Sequence, residues 1–328
     1  MKENVLAVLP TLTEEQINTL RQLCKDNDYA FNLALNNQEA EPYLDEATII
    51  YGGGAWLISH APKLKWFHSV SAGVNSYIPV IKEDTLLTNS AGAFGLSISE
   101  HIIMVILMML RRMPEYQKRI SVRNWSKGLE QESIYGKRIT VVGTGDIGSH
   151  FAERVRAFHP DCITGVSRTG KANPFFDEVY SIDEIDHLLP ATDILVSCVP
   201  ETPETIGYIN RERLMLLPDT AYLVNVGRGS AVVEEDLIDI LNSGLIAGAA
   251  LDVLPRTMMV SPGVRLSIGM LRFTCWLLLN VQFSTRTMEH LMLAAPTTEE
   301  YSLLSKRQLV TTTFEPVMPM AMGPLTRF

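Results

Sequence analysis

The chain has 328 residues, of which 46% are hydrophobic, and a formal net charge of −9 at pH 7. This length and apolar content suit two domains with ordinary cores. Because the chain is acidic and has no basic block, nucleic-acid binding is not expected. The longest apolar run, residues 102–110, is too short to cross a bilayer, so the sequence also predicts no membrane contact.

The N-terminus and the cysteines indicate a cytoplasmic protein. The first residues lack the charged, apolar and small-residue regions of a signal peptide. The cysteines lie far apart and form no C-x-x-C pair, at positions Cys24, Cys162, Cys198 and Cys275. Reduced thiols fit this spacing better than a disulfide framework or a zinc site, and no metal site is predicted.

The first ninety residues alternate strand and helix patterns, which predicts a parallel sheet. Strands are predicted at 4–9, 48–51, 64–70 and 86–89, and a capped helix runs from Thr13 to about Cys24. The third strand ends in the turn 71–75, Ser-Ala-Gly-Val-Asn. Its N–H groups could hold a carboxylate, and a plain strand-to-helix turn explains the same residues equally well.

The next segment contains an apolar helix at about residues 100–110, with Ser97 and Ser99 as candidate N-caps. Apolarity on all sides of this helix predicts burial between domains. A polar, mobile stretch is expected at 111–136. Trp125 within that stretch is interpreted as a packed anchor, with a lid as the alternative.

Residues 139–148 carry the most informative pattern, because four β-favouring residues lead into a glycine-rich turn and a helical pattern follows at 149–158. Gly143 permits the tight turn, Gly145 lets the backbone approach a pyrophosphate, and Gly148 brings the helix close to the strand. The residues predicted to cradle a dinucleotide are Gly143, Thr144, Gly145, Asp146, Ile147 and Gly148. An incidental glycine turn is the alternative.

The tip of the next strand, 162–166, indicates which dinucleotide is preferred. NAD sites usually carry an acid about 20 residues beyond the glycines, where it binds the ribose 2′-hydroxyl. This chain has instead Ser167, Arg168 and Thr169, with Lys171 close by. A hydroxyl, a guanidinium and an ammonium suit a 2′-phosphate, so NADP(H) is predicted over NAD(H). The alternative is an exposed basic turn.

Three further strands, at 193–199, 221–226 and 245–253, complete the second sheet, and a helix at 234–242 ends at Gly244. The loop 200–205 is expected to close over the cofactor. The remaining residues predicted to contact the cofactor are Val199, Pro200, Thr205, Val226, Gly227 and Asp252. Arg228 and Asp252 both fall at carboxyl ends of strands, where a ligand is expected.

Four segments carry a family resemblance: S-A-G-V-N at 71–75, G-T-G-D-I-G at 143–148, N-V-G-R-G at 225–229 and A-L-D-V at 250–253. In order and spacing the chain resembles the D-isomer-specific 2-hydroxyacid dehydrogenases, and its Ser-Arg-Thr tip looks most like their NADPH-dependent glyoxylate/hydroxypyruvate reductases. The resemblance implies two doubly wound parallel-sheet α/β domains. A Rossmann-type cofactor domain, 99–281, would be inserted in a flavodoxin-like substrate domain, 1–98 plus 282–328.

The resemblance also implies roles for single residues in the reduction of a small 2-keto acid. Arg228 would bind the substrate and act in catalysis, with a structural ion pair as the alternative. The backbone of Ala72, Gly73 and Val74 would bind the substrate carboxylate, and Asp252 the nicotinamide carboxamide. A homodimer built with the helix 100–110 is expected. Trp56 would border the pocket or, as we favour, simply pack.

The resemblance fails after residue 255. The family's proton donor is a histidine in Thr-Pro-His, tuned by a glutamate in Glu-Pro, and neither segment occurs here. Leu277–Asn280 stand at the expected histidine, and His290 is a weak substitute within a helical pattern. Residues 256–281 have neither helical nor strand periodicity, which suggests a frame-shifted reading frame. Without a general acid, catalysis should fall by about 10² to 10⁴.

Two other readings of the chain stay open. It could be a non-enzymatic NADP(H)-binding protein or sensor that has lost its acid. It could also be a dehydrogenase of another class that shares only the nucleotide-binding domain, although the segments at 225–229 and 250–253 argue against that.

Overall fold

The structure, a computed structural model, describes residues 2–254. These residues divide into two compact units, one up to Ala93 and one from Phe94 onward. The predicted domains, 1–98 with 282–328 and 99–281, reach beyond the described residues and stay a prediction. Their first boundary lies five residues further along the chain than the division after Ala93.

The first unit is built on a parallel sheet in the order β2-β1-β3-β4-β5. Its strands are β1 (Asn4–Val8), β2 (Ala30–Ala34), β3 (Ile49–Gly52), β4 (Trp66–Ser69) and β5 (Leu86–Asn89). Its helices are α1 (Glu14–Asp26), α2 (Asn37–Ala40) and α3 (Ala55–His60). The predicted helix start after Thr13 is confirmed, and the structure forms a capping box there between Thr13 and Gln16. The sequence did not predict β2 or α3, and the strand order is that of flavodoxin-like sheets.

The second unit has a six-stranded sheet in the order β11-β10-β9-β6-β7-β8. Its strands are β6 (Arg138–Val142), β7 (Cys162–Ser167), β8 (Glu178–Ser181), β9 (Ile194–Ser197), β10 (Tyr222–Asn225) and β11 (Gly248–Leu251). Its helices are α4 (Gly95–Leu110), α5 (Met113–Ser121), α6 (Asp146–Val155), α7 (Arg211–Leu214) and α8 (Glu234–Asn242). Every strand pair is parallel, in the Rossmann order. The predicted α/β class with two parallel sheets is confirmed.

The start predicted for the apolar helix is wrong. Helix α4 begins at Gly95, so Ser97 and Ser99 lie inside it. Their hydroxyls donate to the carbonyls of Phe94 and Leu96 and cap no amide. The first turn of α4 lies close to α6, because a Cβ on Gly95 would overlap the side chains of Asp146 and His150.

The segment 111–136 contains a helix that the sequence did not predict. Helix α5 runs from Met113 to Ser121, and Pro114 occupies its first turn, where a missing N–H costs nothing. Trp125 is fully exposed, so its assignment as a packed anchor is wrong. Among the described helices, none is both long and apolar enough to traverse a bilayer.

Candidate functional site

The turn after β6 can be formed only by glycine at its first position. Gly143 has φ +105°, a backbone conformation that side chains other than glycine rarely adopt. A Cβ there would stand 3.0 Å from the carbonyl carbon and oxygen of Cys198. The Gly143 N–H donates to the carbonyl of Val166 at 2.8 Å, which anchors the turn to the neighbouring strand β7.

Helix α6 begins within the glycine turn, at Asp146, and therefore earlier than the predicted residue 149. Gly145 is its N-cap and has no side chain to satisfy the first amides. A Cβ on Gly148 would overlap the carbonyl oxygen of Gly143, so the helix lies directly against the turn. A Cβ on Gly145 would meet no atom of the described residues within 4 Å. The exposed face of the turn thus presents helix N–H groups and positive dipole, which is what a pyrophosphate requires.

The carbonyl side of the same turn is occupied by protein groups. The carbonyl of Thr144 accepts from Ser149 Oγ and from Asn173 Nδ2, each at 3.0 Å. Asn173 Nδ2 also lies 2.9 Å from Ser149 Oγ. These hydrogen bonds hold the Thr144 carbonyl towards Ser149 and Asn173. Sequence reasoning missed Asn173, because it is brought to the turn from 29 residues away.

The tip of β7 exposes the side chains predicted to select the cofactor. Arg168, Thr169 and Lys171 are exposed, whereas Ser167 is half-buried. Ser167 Oγ accepts from the N–H of Gly170 at 3.1 Å, which closes the tip into a tight turn. Because Arg168 and Lys171 are exposed, their guanidinium and ammonium groups are accessible to a phosphate.

The loop after β9 is held in shape by its own threonines. Thr205 Oγ1 donates to the carbonyl of Pro200 at 2.6 Å and accepts from the N–H of Thr202 at 2.8 Å. The pKa of the Glu204 carboxyl is lowered mainly by a hydrogen bond from Thr202, with a smaller contribution from the positive charge of Arg168. The loop therefore lies within electrostatic reach of the β7 tip.

The loops after β9 and β10 pack backbone to backbone. A Cβ on Gly227 would overlap the main chain of Val199, so only glycine allows this approach. Ser230 Oγ donates to a carboxylate oxygen of Glu201 at 2.5 Å and joins the same two loops again. Val199, Val226 and Gly227 are buried in this contact.

Arg228 lies on a turn shaped by a fully buried asparagine. Asn225 Nδ2 donates to the carbonyl of Arg228 at 2.9 Å, and Asn225 Oδ1 accepts from the N–H of Gly227 at 3.2 Å. The Arg228 guanidinium donates to the carbonyl of Gly227 at 2.8 Å. Among residues 2–254, no carboxylate lies within ion-pair distance of this guanidinium, which leaves the alternative of a structural ion pair without support there.

Asp252 follows β11 and is next to Asn225, because its N–H donates to the Asn225 carbonyl at 3.0 Å. One carboxylate oxygen of Asp252 is 3.6 Å from Nε2 of His101 on α4. A small recess lies beside this pair, and its other lining residues are Val105, Val224, Val226, Ala250 and Leu251. His101 was missed from the sequence, because nothing in the helical pattern of α4 indicates which side chain faces the strand ends.

The turn after β4, in the first unit, has its carbonyl groups satisfied from beneath. The carbonyl of Ala72 accepts from Asn89 Nδ2 at 2.7 Å, and that of Gly73 accepts from Ser71 Oγ at 2.9 Å. The Ser71 carbonyl accepts from the N–H of Ser90 at 3.3 Å. Three successive carbonyls are therefore satisfied by protein donors.

The amide groups of this turn are correspondingly available. Within the described part of the chain, the N–H groups of Ala72, Gly73 and Val74 donate to no protein acceptor. Consecutive amides left in this way form a concave site that suits an anion. The assignment of these residues to a substrate carboxylate stays a prediction.

Trp56 is neither enclosed in the core nor shown to border a pocket. Its side chain is 38% exposed and stacks on His60, one turn along α3, with ring centroids 4.2 Å apart. The positions predicted to lack the family's acid, 256–281, and the substitute His290 lie outside the described residues. The frame-shift hypothesis therefore stays a prediction.

The fold and the glycine turn define the class of NAD(P)-dependent α/β dehydrogenases. Residues 103–270 match the family described as D-isomer specific 2-hydroxyacid dehydrogenase, NAD binding domain. The chain belongs to this family of 2-hydroxyacid dehydrogenases, as the sequence motifs predicted.

Relatives and solved structures agree with this assignment. A hydroxyphenylpyruvate reductase of Plectranthus scutellarioides is 36% identical over 211 residues, 62% of this chain and 66% of that protein. A D-isomer specific 2-hydroxyacid dehydrogenase family protein of Aeromonas salmonicida has a TM-score of 0.72 at 30% identity, covering 83% of this chain and 89% of the other. The NADPH-dependent glyoxylate/hydroxypyruvate reductase of Sinorhizobium meliloti, solved with NADP and sulfate, has a TM-score of 0.66 at 26% identity, covering 80% and 84%. Matches to curated relatives span about two thirds of their lengths.

Proposed function

We propose that this protein reduces a small 2-keto acid of the glyoxylate/hydroxypyruvate type to the D-2-hydroxy acid, with NADPH preferred over NADH. The observation that supports it most is the placement of Arg228. Its guanidinium has no carboxylate partner among residues 2–254, and it stands on the β10 turn of the sheet whose β6 turn is the glycine cradle. Because all strands of that sheet are parallel, both turns lie at the same edge.

The cradle residues fit a dinucleotide. The space above Gly145 is open, and the amides of Asp146 and Ile147 start a helix whose first N–H groups have no partner within the helix. Arg168, helped by Ser167 and Thr169, would hold the 2′-phosphate of NADP(H) through charge-assisted hydrogen bonds. The dinucleotide, when bound, supplies the hydride. Its nicotinamide carboxamide would be held by Asp252.

The substrate would be held through its carboxylate. A guanidinium fork such as that of Arg228 pairs with a carboxylate bidentately, and a cation beside a ketone oxygen stabilises the negative charge that develops as hydride arrives. The amides of Ala72, Gly73 and Val74 offer further donors for a carboxylate. Their small side chains and backbone donors favour a compact 2-keto acid.

The reaction also needs a proton donor. The described residues offer no counterpart to the histidine that serves as the donor in the family. We therefore propose that NADPH binding is intact. The turnover number of this chain should be lower by a factor of about 10² to 10⁴, which is the usual effect of losing a general acid. A non-enzymatic NADP(H)-binding protein or sensor is the alternative. The predicted homodimer and the cytoplasmic location are part of the proposal, and light scattering of the purified chain tests the first.

The test measures cofactor binding and turnover separately. NADPH binding is followed by fluorescence, and NADPH oxidation is followed with glyoxylate, hydroxypyruvate and pyruvate. Slow but Arg228-dependent oxidation supports the proposal, with Arg228→Lys as the matched variant that keeps the charge and loses the fork. Tight NADPH binding with no oxidation beyond buffer favours the sensor, and resequencing the gene decides the frame-shift hypothesis.

Cofactor preference is tested by the ratio of KM values for NADPH and NADH. Arg168→Ala should raise the KM for NADPH at least tenfold, since it removes a charge-assisted contact to the 2′-phosphate, and should leave the KM for NADH unchanged. Equal or better use of NADH by the unaltered protein would contradict the preference.

A further inference from the structure

The buried centre of the first unit contains a histidine that the proposed chemistry does not use. His68 on β4 is 2% exposed, and its ring stacks on that of Tyr51 with centroids 5.3 Å apart. Nδ1 of His68 is 2.8 Å from Thr88 Oγ1, and Nε2 is 3.2 Å from Ser90 Oγ. Both ring nitrogens are thus held by hydroxyls of the chain that follows β4.

The hydrogen-bond directions around His68 can be assigned from groups that can only donate or only accept. Trp66 Nε1 can only donate, and it donates to Thr88 Oγ1 at 2.8 Å. The hydroxyl of Ser90 donates to the carbonyl of Ser69 at 3.0 Å, so its lone pair faces the imidazole. Nε2 of His68 must therefore carry the proton that Ser90 accepts. In a neutral ring Nδ1 is then an acceptor, and Thr88 donates to it.

Ser90 connects this network to the turn 71–75. Ser90, which accepts from His68, donates its N–H to the carbonyl of Ser71 at 3.3 Å. Ser69 Oγ, on the other side of the same turn, lies 3.0 Å from Ser71 Oγ and accepts the Ser71 N–H at 3.2 Å. His68 thus holds Ser90, one of the two residues that donate to the first of the three carbonyls, and the other donor is Ser69 Oγ at 3.2 Å.

We propose that His68 is a positioning residue, held as the neutral Nε2–H tautomer, that braces the anion-binding turn 71–75 through Ser90. The identity of the anion as a substrate carboxylate rests on the proposed function, whereas the bracing does not. Burial lowers the pKa of His68 to about 4, which keeps the ring neutral. A protonated ring would also turn Nδ1 from an acceptor into a donor, so that the Thr88 hydroxyl would lose the acceptor of its own proton. His68 is accordingly not the missing proton donor.

The tautomer is tested by long-range ¹H–¹⁵N spectra of the imidazoles in the full ¹⁵N-labelled chain, with His68→Gln used to assign the signal. The Nε2–H pattern should persist from pH 8 to pH 5. A His68 signal that protonates with a midpoint above pH 5, or that shows the Nδ1–H tautomer, would overturn the proposal.

The bracing is tested by hydrogen exchange of the peptide that contains residues 71–75. His68→Leu should speed its exchange at least tenfold, whereas His68→Gln, whose amide can still donate near the Nε2 position, should exchange close to the unaltered rate. Equal rates in the Leu variant would contradict the bracing. If His68→Leu fails to fold, Ser90→Ala takes its place, because it removes the hydroxyl that accepts from His68 and keeps the N–H that donates to Ser71. It should speed the exchange likewise, and an unchanged rate would contradict the bracing.

Binding of oxamate, a small 2-keto acid analogue, then separates this inference from the proposed function. His68→Leu should weaken oxamate binding at least tenfold with NADPH affinity unchanged, and His68→Gln should restore it. If the unaltered chain binds no oxamate, the proposed substrate is wrong, while the spectra and the exchange rates still decide the role of His68.

Discussion

Two turns, one in each unit, present amide groups outward at the carboxyl end of a parallel strand, and they are built in opposite ways. The cradle at 143–148 gets its shape from missing side chains, since a Cβ on Gly143 or Gly148 would meet backbone carbonyl groups. The turn at 71–75 gets its shape from added side chains, since Asn89 and Ser71 donate to its carbonyls. The first should fail when an atom is added, and the second when one is removed.

The largest effect is expected from adding a methyl group to the cradle. In Gly148→Ala the new Cβ overlaps the carbonyl oxygen of Gly143, which belongs to the backbone and cannot rotate away. Overpacking of this kind costs about 3 kcal/mol of unfolding free energy, measured by urea denaturation. NADPH affinity should fall too, because α6 must move. Stability equal to that of the unaltered protein would show that the contact is looser than the structure has it.

A comparable loss is expected from removing a brace in the other turn. Asn89 is buried, and Asn89→Ala leaves the Ala72 carbonyl without its side-chain donor. An unsatisfied buried group costs about 1 to 3 kcal/mol, and NADPH affinity should stay unchanged. Asn18→Ala, on the exposed face of α1, is the matched control and should change stability by less than about 0.5 kcal/mol. A loss of NADPH binding in Asn89→Ala would mean that the two turns are not independent.

Acid should weaken the braced turn through His68. Its folded pKa, about 4, is below the ordinary value of 6.5, so the unfolded chain binds the proton more readily. The stabilisation is therefore full above pH 6.5 and is lost as the pH falls towards 4. Between pH 7 and pH 5 the unaltered protein should lose about 2 kcal/mol more unfolding free energy than His68→Gln, which cannot titrate. Parallel pH profiles for the two proteins would contradict a neutral buried imidazole.

The smallest change in stability is expected at the exposed glycine of the cradle. Among residues 2–254, no atom lies within 4 Å of a Cβ placed on Gly145, and the residue has φ −76°, outside the left-handed region that favours glycine. Gly145→Ala should therefore keep its unfolding free energy within about 0.5 kcal/mol while weakening NADPH binding at least tenfold, because the methyl group would occupy the position proposed for the phosphate. Unchanged NADPH affinity would place the pyrophosphate elsewhere.

The sequence predicted the parts of the fold whose signals are local. The bounds predicted for β5 and α8 match the structure, and Gly244 ends α8 with φ +65°. The glycine turn was equally predictable, because the glycines that its conformation requires are visible in the sequence. In contrast, β2 was missed because its half-buried residues lack a clear alternation of apolar and polar positions.

The braces could not be predicted, because they depend on residues that are distant in sequence. Asn89 is 17 residues away from its partner in the turn, and Asn173 is 29 residues away from its partner in the cradle. Nothing in the sequence around either asparagine distinguishes it from one on the surface. The start of α4 was misplaced for the same reason. Gly95 looks like a helix breaker until its contact with α6 is known. Trp125 shows the reverse error, since a large aromatic residue predicts burial that the structure does not provide.

The contact of Gly227 with Val199 and the bond from Ser230 to Glu201 have a consequence for anyone who wishes to redesign this protein. Residues 199–205 and the turn that carries Arg228 contact each other through the main chain of Val199 and Gly227 and through the side chains of Glu201 and Ser230. Replacing only one of these segments with its counterpart from a relative would therefore disrupt the contact. Grafting should succeed only when both segments are exchanged together, as a single cassette. Evolution faces the same restriction, and the two segments should change in step when this scaffold acquires a new substrate.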